Sequence, residues 1–279
     1  MNYTALWRKL TSVYDEREAQ AVARFVLEEK YGMTATDIYC GREMPDDNET
    51  AETVQRLMNR EPVQYVVGWE YFCGHKFAVR SGVLIPRPET EELVGRIIAD
   101  SSLFKSATDS HHSLAILDIG TGSGCIAISL ALGIDNADVT AWDISQDALN
   151  IASSNARYLG AKVSFMQQDA LNAPDACDRW DIIVSNPPYI CNKERAGMDG
   201  NVLNHEPHTA LFVPDDNPLL FYRAITRYAL HALKPGGKLY FEINPLYADD
   251  MIRMANDEGF NHAEVINDSF GKQRFIIIY

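Results

Sequence analysis

The sequence predicts an α/β protein whose main domain is a doubly wound, mostly parallel seven-stranded sheet, preceded by a small helical domain and a β-hairpin connector. Three observations predict it. The hydrophobic period changes after Pro86 from helical spacing to alternating strand and helix. A strand, a glycine-rich turn and a helix follow one another without a gap at Leu117–Gly124. The length, 279 residues, suits one large domain and one smaller one at about 150 residues per domain.

From Thr4 to about Glu61 the apolar residues recur at helical spacing, through Leu6, Leu10 and Val13 and then Val22, Phe25 and Val26, with Gly32 as a stop. Asn48 to Arg60 reads as a further amphipathic helix through Val54, Leu57 and Met58, ended by Pro62. The runs PVQYVVGWEYF and HKFAVRSGVLI are rich in β-formers, and Cys73–Gly74 between them marks a hairpin turn. The chain so divides into a helical domain over 1–62, a hairpin connector over 63–86 and an α/β domain over 87–279.

In the α/β domain, Pro88–Asp100 carries Leu93, Val94, Ile97 and Ile98 on one helical face, and Leu103 to Ser113 is a polar loop. Strands read at Leu114–Ile119, Ala137–Trp142, Lys162–Gln167, Trp180–Ser185, Lys238–Ile243 and Arg274–Tyr279, with a weaker one at Ala263–Ile266. Helices fall between most of them, at about 123–133, 145–159, 217–233 and 247–258. Such alternation implies a parallel sheet with helices on both faces.

Composition narrows the function classes. At 46% hydrophobic and 23% charged residues the chain is globular. Its 25 basic against 39 acidic side chains leave a net charge of −14, spread over both parts. No electropositive face of the kind that grips a phosphate backbone is evident, so no direct nucleic-acid binding is expected. The five cysteines, at 40, 73, 125, 177 and 191, form no CxxC and are odd in number, which argues against a disulfide framework and a thiolate zinc site. The N-terminus has no apolar signal region, and no run approaches the roughly 18 apolar residues of a membrane span. A cytoplasmic protein without a membrane partner or a metal is expected, and a monomer.

The first strand runs into Asp118, Gly120, Thr121, Gly122, Ser123 and Gly124 before its helix. Glycines there let the backbone turn sharply and approach a ligand at the free N–H groups of the helix start. The dinucleotide fingerprint needs glycine at 125, where this chain has Cys125. The acid two residues before the first glycine suits a ligand with an amino group, such as S-adenosylmethionine. At the second strand end Asp143, followed by Ile144, is placed to accept both ribose hydroxyls. Asp169, followed by Ala170, is placed at the third to accept from the adenine amino group. Any single acid of this kind is most often a helix cap or a solvated loop residue; three at successive strand ends point together to one ligand.

The fourth strand ends in Ser185, Asn186, Pro187, Pro188 and Tyr189. In a doubly wound sheet strands one and four are neighbours where the order reverses, and their carboxyl ends open on the ligand crevice. The Asn186 oxygen and the Pro187 carbonyl can accept the two hydrogens of a planar NH2, Tyr189 can stack on the planar group, and the prolines stiffen the loop. An amide or aromatic amine nitrogen is a poor nucleophile, so acceptors that orient it toward a sulfonium methyl supply what the reaction needs, without a strong base. Other candidates fit less well. His205, Glu206, Pro207 and His208 lack the four-residue histidine spacing of a helical zinc motif. His111 and His112 sit in the polar loop, and Trp142 and Trp180 read as sheet core.

With these residues the chain resembles the HemK-type methyltransferases over nearly its whole length. The likeness lies in the helical N-terminal domain, the hairpin, LIPRPETEELV (84–94), LDIGTGSGCIAISLA (117–131), SNPPYI (185–190) and EPHTALF (206–212). The resemblance implies a class I S-adenosylmethionine-dependent fold that methylates the side-chain nitrogen of the GGQ glutamine in peptide-chain release factors, leaving S-adenosylhomocysteine. It implies that Gly120 to Gly124, Asp143, the Asp169–Ala170 turn and Asn186 hold the cofactor, and that Asn186, Pro187, Pro188 and Tyr189 hold the glutamine amide. Residues 1–75, a compact helical unit that the cofactor fold does not need, are expected to supply part of the docking surface for a folded protein acceptor. Phe270 stands where many relatives have tyrosine, and Ala170 is smaller than the bulky residue expected beside adenine. The alternative is an adenine N6-methyltransferase acting on DNA or RNA, which uses the same NPPY loop but calls for a basic face or an added recognition domain. A catalytically silent cofactor-binding scaffold fits poorly with an intact NPPY loop beside an intact glycine turn.

Overall fold

The computed structural model of the protein describes residues 1–104 and 113–279. His111 and His112 lie outside the described residues. In chain order the helices described are α1 (Tyr3–Leu10), α2 (Glu16–Glu29), α3 (Ala35–Tyr39), α4 (Asn48–Met58), α5 (Val63–Val67), α6 (Pro88–Asp100), α7 (Cys125–Gly133), α8 (Gln146–Leu159), α9 (Gly200–His205), α10 (Leu220–Ala232) and α11 (Ala248–Asp257). The strands are β1 (Trp69–Phe72), β2 (His75–Ala78), β3 (Leu114–Ile119), β4 (Ala137–Asp143), β5 (Val163–Gln167), β6 (Trp180–Ser185), β7 (Ile190–Cys191), β8 (Phe212–Val213), β9 (Leu233–Glu242), β10 (Ala263–Asn267) and β11 (Gln273–Ile278). No helix among the described residues is long and apolar enough to cross a membrane.

The chain forms two compact units. The first comprises Met1–Trp69, Val79–Ser81 and Met198–Glu206. Each of its first four helices begins with a side chain that accepts a free amide of the first turn: Asn2 from Ala5, Asp15 from Glu18, Thr34 from Asp37 and Asp47 from Thr50. Caps of this kind contribute about 1 kcal/mol each. The apolar stripes of these helices meet in a core of Leu6, Leu10, Val26, Leu27, Val54 and Leu57.

Two features of this unit differ from the sequence expectation. The run Val63–Val67, read as a strand, is α5: Tyr65 and Val66 donate backbone N–H groups to Pro62 O, and Gly68, at φ +96°, closes the turn on Gln64 O. Burial of Tyr65 and Val66 overrides the β preference of the run. The helical unit accordingly extends past residue 62 to Trp69, and the hairpin shrinks to β1 and β2. The unit also takes in α9, from the segment after the NPPY loop, where His205 Nε2 lies 3.2 Å from Asn59 O.

The second unit comprises Glu70–Ala78, Gly82–Gly197 and Pro207–Tyr279. Its seven-stranded sheet has the order β10-β11-β9-β6-β3-β4-β5. Strands β9, β6, β3, β4 and β5 run parallel, and β11 is antiparallel to both its neighbours. Strand alternation divides the core between two faces: Ile116, Ile182 and Val184 pack on one side with Leu93, Ile97 and Ile128, while Leu117, Ile119 and Ile183 pack on the other with Tyr222, Ile225 and Met251. Trp142 and Trp180 are buried in the second of these layers, as their sequence context predicts. The order reverses between β3 and β6, which pair directly from Ile116↔Ile182 to Ile119↔Ser185.

Candidate active site

Because β3, β4, β5, β6 and β9 are parallel, their carboxyl ends share one edge of the sheet. Asp118, Asp143, Asp169 and Asn186 all fall on this edge. Ser185 Oγ donates to Ile119 O at 2.6 Å and fastens the end of β6 to the end of β3. The loop that begins at Asn186 therefore starts beside the glycine turn that begins at Gly120.

That turn is held from two sides. Gly120 and Thr121 donate their amides to Trp142 O at 2.8 and 2.9 Å, and Gly122 donates to Asp143 Oδ2 at 2.8 Å. Gly120, Gly122 and Gly124 have φ of +78°, +56° and +83°, in the left-handed region that favours glycine. A Cβ on Gly120 or Gly122 would meet nothing within 4 Å, whereas on Gly124 it would lie 2.8 Å from Ile128 Cδ1 and 3.0 Å from Ala152 Cβ. The first two glycines thus leave the backbone open to a ligand, and the third lets α7 approach α8.

Asp118 sits beneath this turn. Its side chain is wholly buried, and its Oδ2 accepts from Thr121 Oγ1 at 2.6 Å and from the Ala127 amide at 3.2 Å, in the first turn of α7. A carboxylate suits the positive end of a helix. Burial nevertheless pushes the Asp118 carboxyl up to about 7. Its Oδ1 is buried with no hydrogen-bond partner among the described residues.

Asp143 Oδ1 accepts the Ser145 amide at 2.9 Å while Oδ2 holds Gly122, so each oxygen keeps a lone pair for a further donor. Burial raises its pKa, and backbone amides of Ser145, Gly122 and Ile144 oppose the rise. Ile144 is 61% exposed, a large apolar surface next to this carboxylate. Asp169 caps the single turn Ala170–Asn172, accepting from the Leu171 amide at 2.9 Å and Asn172 Nδ2 at 2.6 Å. Ala170 is half-buried, and Leu171 beside it is exposed.

Asn186 is half-buried and Pro187 buried. Asn186 Nδ2 donates to Thr90 Oγ1 at 3.3 Å. Thr90 Oγ1 donates to Glu242 Oε2 at 2.6 Å, and the Tyr189 hydroxyl donates to Glu242 Oε1 at 3.0 Å. Glu242 is buried at the end of β9; burial raises its pKa, while the Thr90 and Tyr189 hydrogen bonds and the charge of Arg274 hold it down. Burial and the neighbouring Glu242 carboxylate push the Tyr189 phenol well above its ordinary range, so it keeps its proton. Asn244, also buried, donates Nδ2 to Tyr189 O at 3.3 Å and to the Glu194 carboxylate at 3.2 Å.

Sequence reasoning missed three of these side chains. Thr90 lies within the PRPETE run with no role that its spacing assigns, and no motif marks Glu242 or Asn155. A glutamate inside the apolar strand KLYFEI was the available signal for Glu242. Asn155, buried on α8, donates Nδ2 to Ser123 O at 2.9 Å and to Ala78 O at 3.1 Å, and its Oδ1 accepts from Ala78 N at 2.9 Å. It clamps the glycine turn to β2.

The donor and acceptor set fits S-adenosylmethionine: open glycine backbone, an orphaned buried carboxylate oxygen, and a carboxylate with spare lone pairs at the next strand end. Among the described residues no group of His, Cys, Asp and Glu could hold a metal ion.

Residues 95–205 match a family model described as the methyltransferase small domain. This match, the sheet order and the relatives together define the chain as a methyltransferase. The chain is 45% identical to the release factor glutamine methyltransferase of Bacteroides thetaiotaomicron, covering 96% of this chain and 95% of that one. It is 39% identical to the enzyme of the same name from Flavobacterium psychrophilum, over 99% and 97% of the two chains, and 40% identical to that of Chlorobaculum tepidum, over 89% and 85%. The chain belongs to the release factor glutamine methyltransferase family.

Proposed function

We propose that this chain, in the cytoplasm, transfers the methyl group of S-adenosylmethionine to the side-chain amide nitrogen of a glutamine in peptide-chain release factors. The observation that carries the reading is the pairing of Ile119 with Ser185, which sets the NPPY loop beside the glycine turn in a chain of this family.

The cofactor, when bound, supplies an electrophilic sulfonium methyl. The open space beside the Gly120 and Gly122 backbone and the spare lone pairs of Asp143 receive it, and Asp118 Oδ1 is the acceptor for its amino group. Exposed Ile144 offers an apolar wall next to Asp143. The glutamine amide is a poor nucleophile because its lone pair is delocalised. Asn186 Oδ1 and the Pro187 carbonyl accept its two hydrogens and hold the nitrogen in line, with the Tyr189 ring packed on the amide plane. The same acceptors stabilise positive charge as it develops on nitrogen. The methylated nitrogen then releases a proton to water, so no side-chain base takes part. The N-terminal helical unit supplies docking surface for the folded protein substrate.

The test is mass spectrometry of release factor after incubation with the enzyme and labelled cofactor. One methyl on the glutamine side chain is expected. Label in adenine of DNA or RNA, with none in release factor, would replace this reading by the nucleic-acid alternative.

A further inference from the structure

Thr90 and Glu242 stand 152 residues apart in sequence, yet their side chains share a 2.6 Å hydrogen bond beside Asn186. Both are buried, at 3% and 2% exposure. Glu242 is placed by the sheet itself, pairing with Phe275 of β11, and its backbone oxygen accepts from the Tyr222 hydroxyl at 2.9 Å. Thr90 is placed by the first turn of α6, which Pro88 initiates.

We infer that Glu242 and Thr90 form a directional hydrogen-bond relay that fixes which end of the Asn186 amide is free for the substrate, making them positioning residues for methyl transfer. A carboxylate only accepts, so the single Thr90 proton goes to Glu242 Oε2. The Thr90 oxygen is then left with lone pairs alone. It can only accept from Asn186, which must present its NH2 at 3.3 Å and leave Oδ1 without a protein partner among the described residues. A flipped Asn186 would set two acceptor oxygens against each other with no proton between them, a buried mismatch that the relay forbids. The other carboxylate oxygen fixes the Tyr189 hydroxyl as a donor in the same way. One buried carboxylate thereby governs both ends of the NPPY loop, and through it the direction of an amide that would otherwise have two nearly equivalent orientations.

The inference rests on the reading of Asn186 as the residue that holds the substrate amide, and the experiment separates the two. Thr90→Val keeps shape and removes the hydroxyl; Thr90→Ser keeps the hydroxyl; Glu242→Gln keeps shape and adds a donor that can reverse the chain. Each is measured for single-turnover methylation of release factor, for cofactor affinity by calorimetry, for thermal unfolding, and for the Asn186 side-chain amide signal in 15N-asparagine-labelled protein. Thr90→Val and Glu242→Gln are expected to lose about tenfold or more in the methylation step, as for one misoriented acceptor at a reacting nitrogen. Cofactor affinity should stay within about twofold, the Asn186 signal should shift, and Thr90→Ser should recover most of the loss. If Thr90→Val fails to fold, Glu242→Gln decides alone, and the converse. Turnover within twofold of wild type, an unmoved Asn186 signal or an equal loss of cofactor affinity in the folded variant overturns the relay. Asn186→Ala is run in parallel: full turnover in that variant overturns the site reading itself, whereas its loss beside an active Thr90→Val overturns the relay alone.

Discussion

Asp143 Oδ2 accepts the Gly122 amide at 2.8 Å, so the end of one strand holds open the turn that follows its neighbour. Asp143→Ala removes this tie, the Ser145 tie and the acceptor proposed for the ribose hydroxyls. Hydrogen bonds to a charged group contribute about 1.5–3 kcal/mol each. Calorimetry should show S-adenosylmethionine affinity falling by at least one such bond, with a lowered unfolding temperature because two backbone amides lose their acceptor. Unchanged affinity would move the ribose site elsewhere.

The glycines of the turn should separate stability from binding. Gly124→Ala combines left-handed strain with contacts at 2.8 and 3.0 Å to Ile128 and Ala152, so about 2–4 kcal/mol of unfolding free energy should be lost. Gly122→Ala meets open space and should lose only the strain, about 1–2 kcal/mol. Its methyl projects into the open space proposed for the ligand, so it should weaken cofactor binding far more than it weakens the fold. Urea titration with parallel calorimetry checks both, and the same rank order in the two assays would contradict the division.

Asp118 should leave a signature in pH. Its carboxyl is pushed up to about 7 by burial, with the charge of Asp143 adding to the rise against the Thr121 and Ala127 hydrogen bonds. Between about pH 4, the unfolded value, and about 7 the folded state binds the extra proton. The contribution of Asp118 is therefore fully present below about 4 and is lost as pH rises through 7. Asp118→Asn has no such loss. The difference in unfolding temperature between variant and wild type should shift in favour of the variant from pH 4 to 7, and a constant difference would show that the carboxyl is not raised.

Asn186→Ala should lower kcat by about 10²–10³-fold, the range for removing one preorganised polar group at a reacting centre, with little change in cofactor affinity. Asn186→Asp keeps shape and an acceptor oxygen but loses the NH2 given to Thr90, so residual activity above that of the alanine variant is expected. Single-turnover methylation of release factor measures both; an alanine variant with near wild-type turnover removes the loop from the chemistry.

What was legible in the sequence was local or periodic. β3 and β6 begin and end where alternation places them, α6 spans Pro88–Asp100 as its apolar face predicts, and the reversal between β3 and β6 follows from βαβ handedness. Val63–Val67 misled because β-branched residues carry a strand preference that a short buried turn after Pro62 overrides. The Thr90–Glu242 contact was illegible because no local spacing relates a helix start to a strand end 152 residues later. Asp118 read as a ligand-facing acid, and the structure puts most of its bonding into the turn and α7.

The insertion of β11 between β9 and β10 bears on how the protein is made. Residues 273–278 leave the ribosome after everything they hold together, and Ile243 N reaches Arg274 O at 2.8 Å only when they arrive. Until then β9 shows a bare edge and β10 has no neighbour, while the glycine turn and the NPPY segment have already emerged. A nascent chain at that stage exposes the apolar flank that invites mispairing with other chains. Synthesis arrested between residues 243 and 273 should thus yield a species with its glycine turn and NPPY segment complete and the Glu242 carboxylate behind them unsecured, recognisable to chaperones and proteases before it can act on anything.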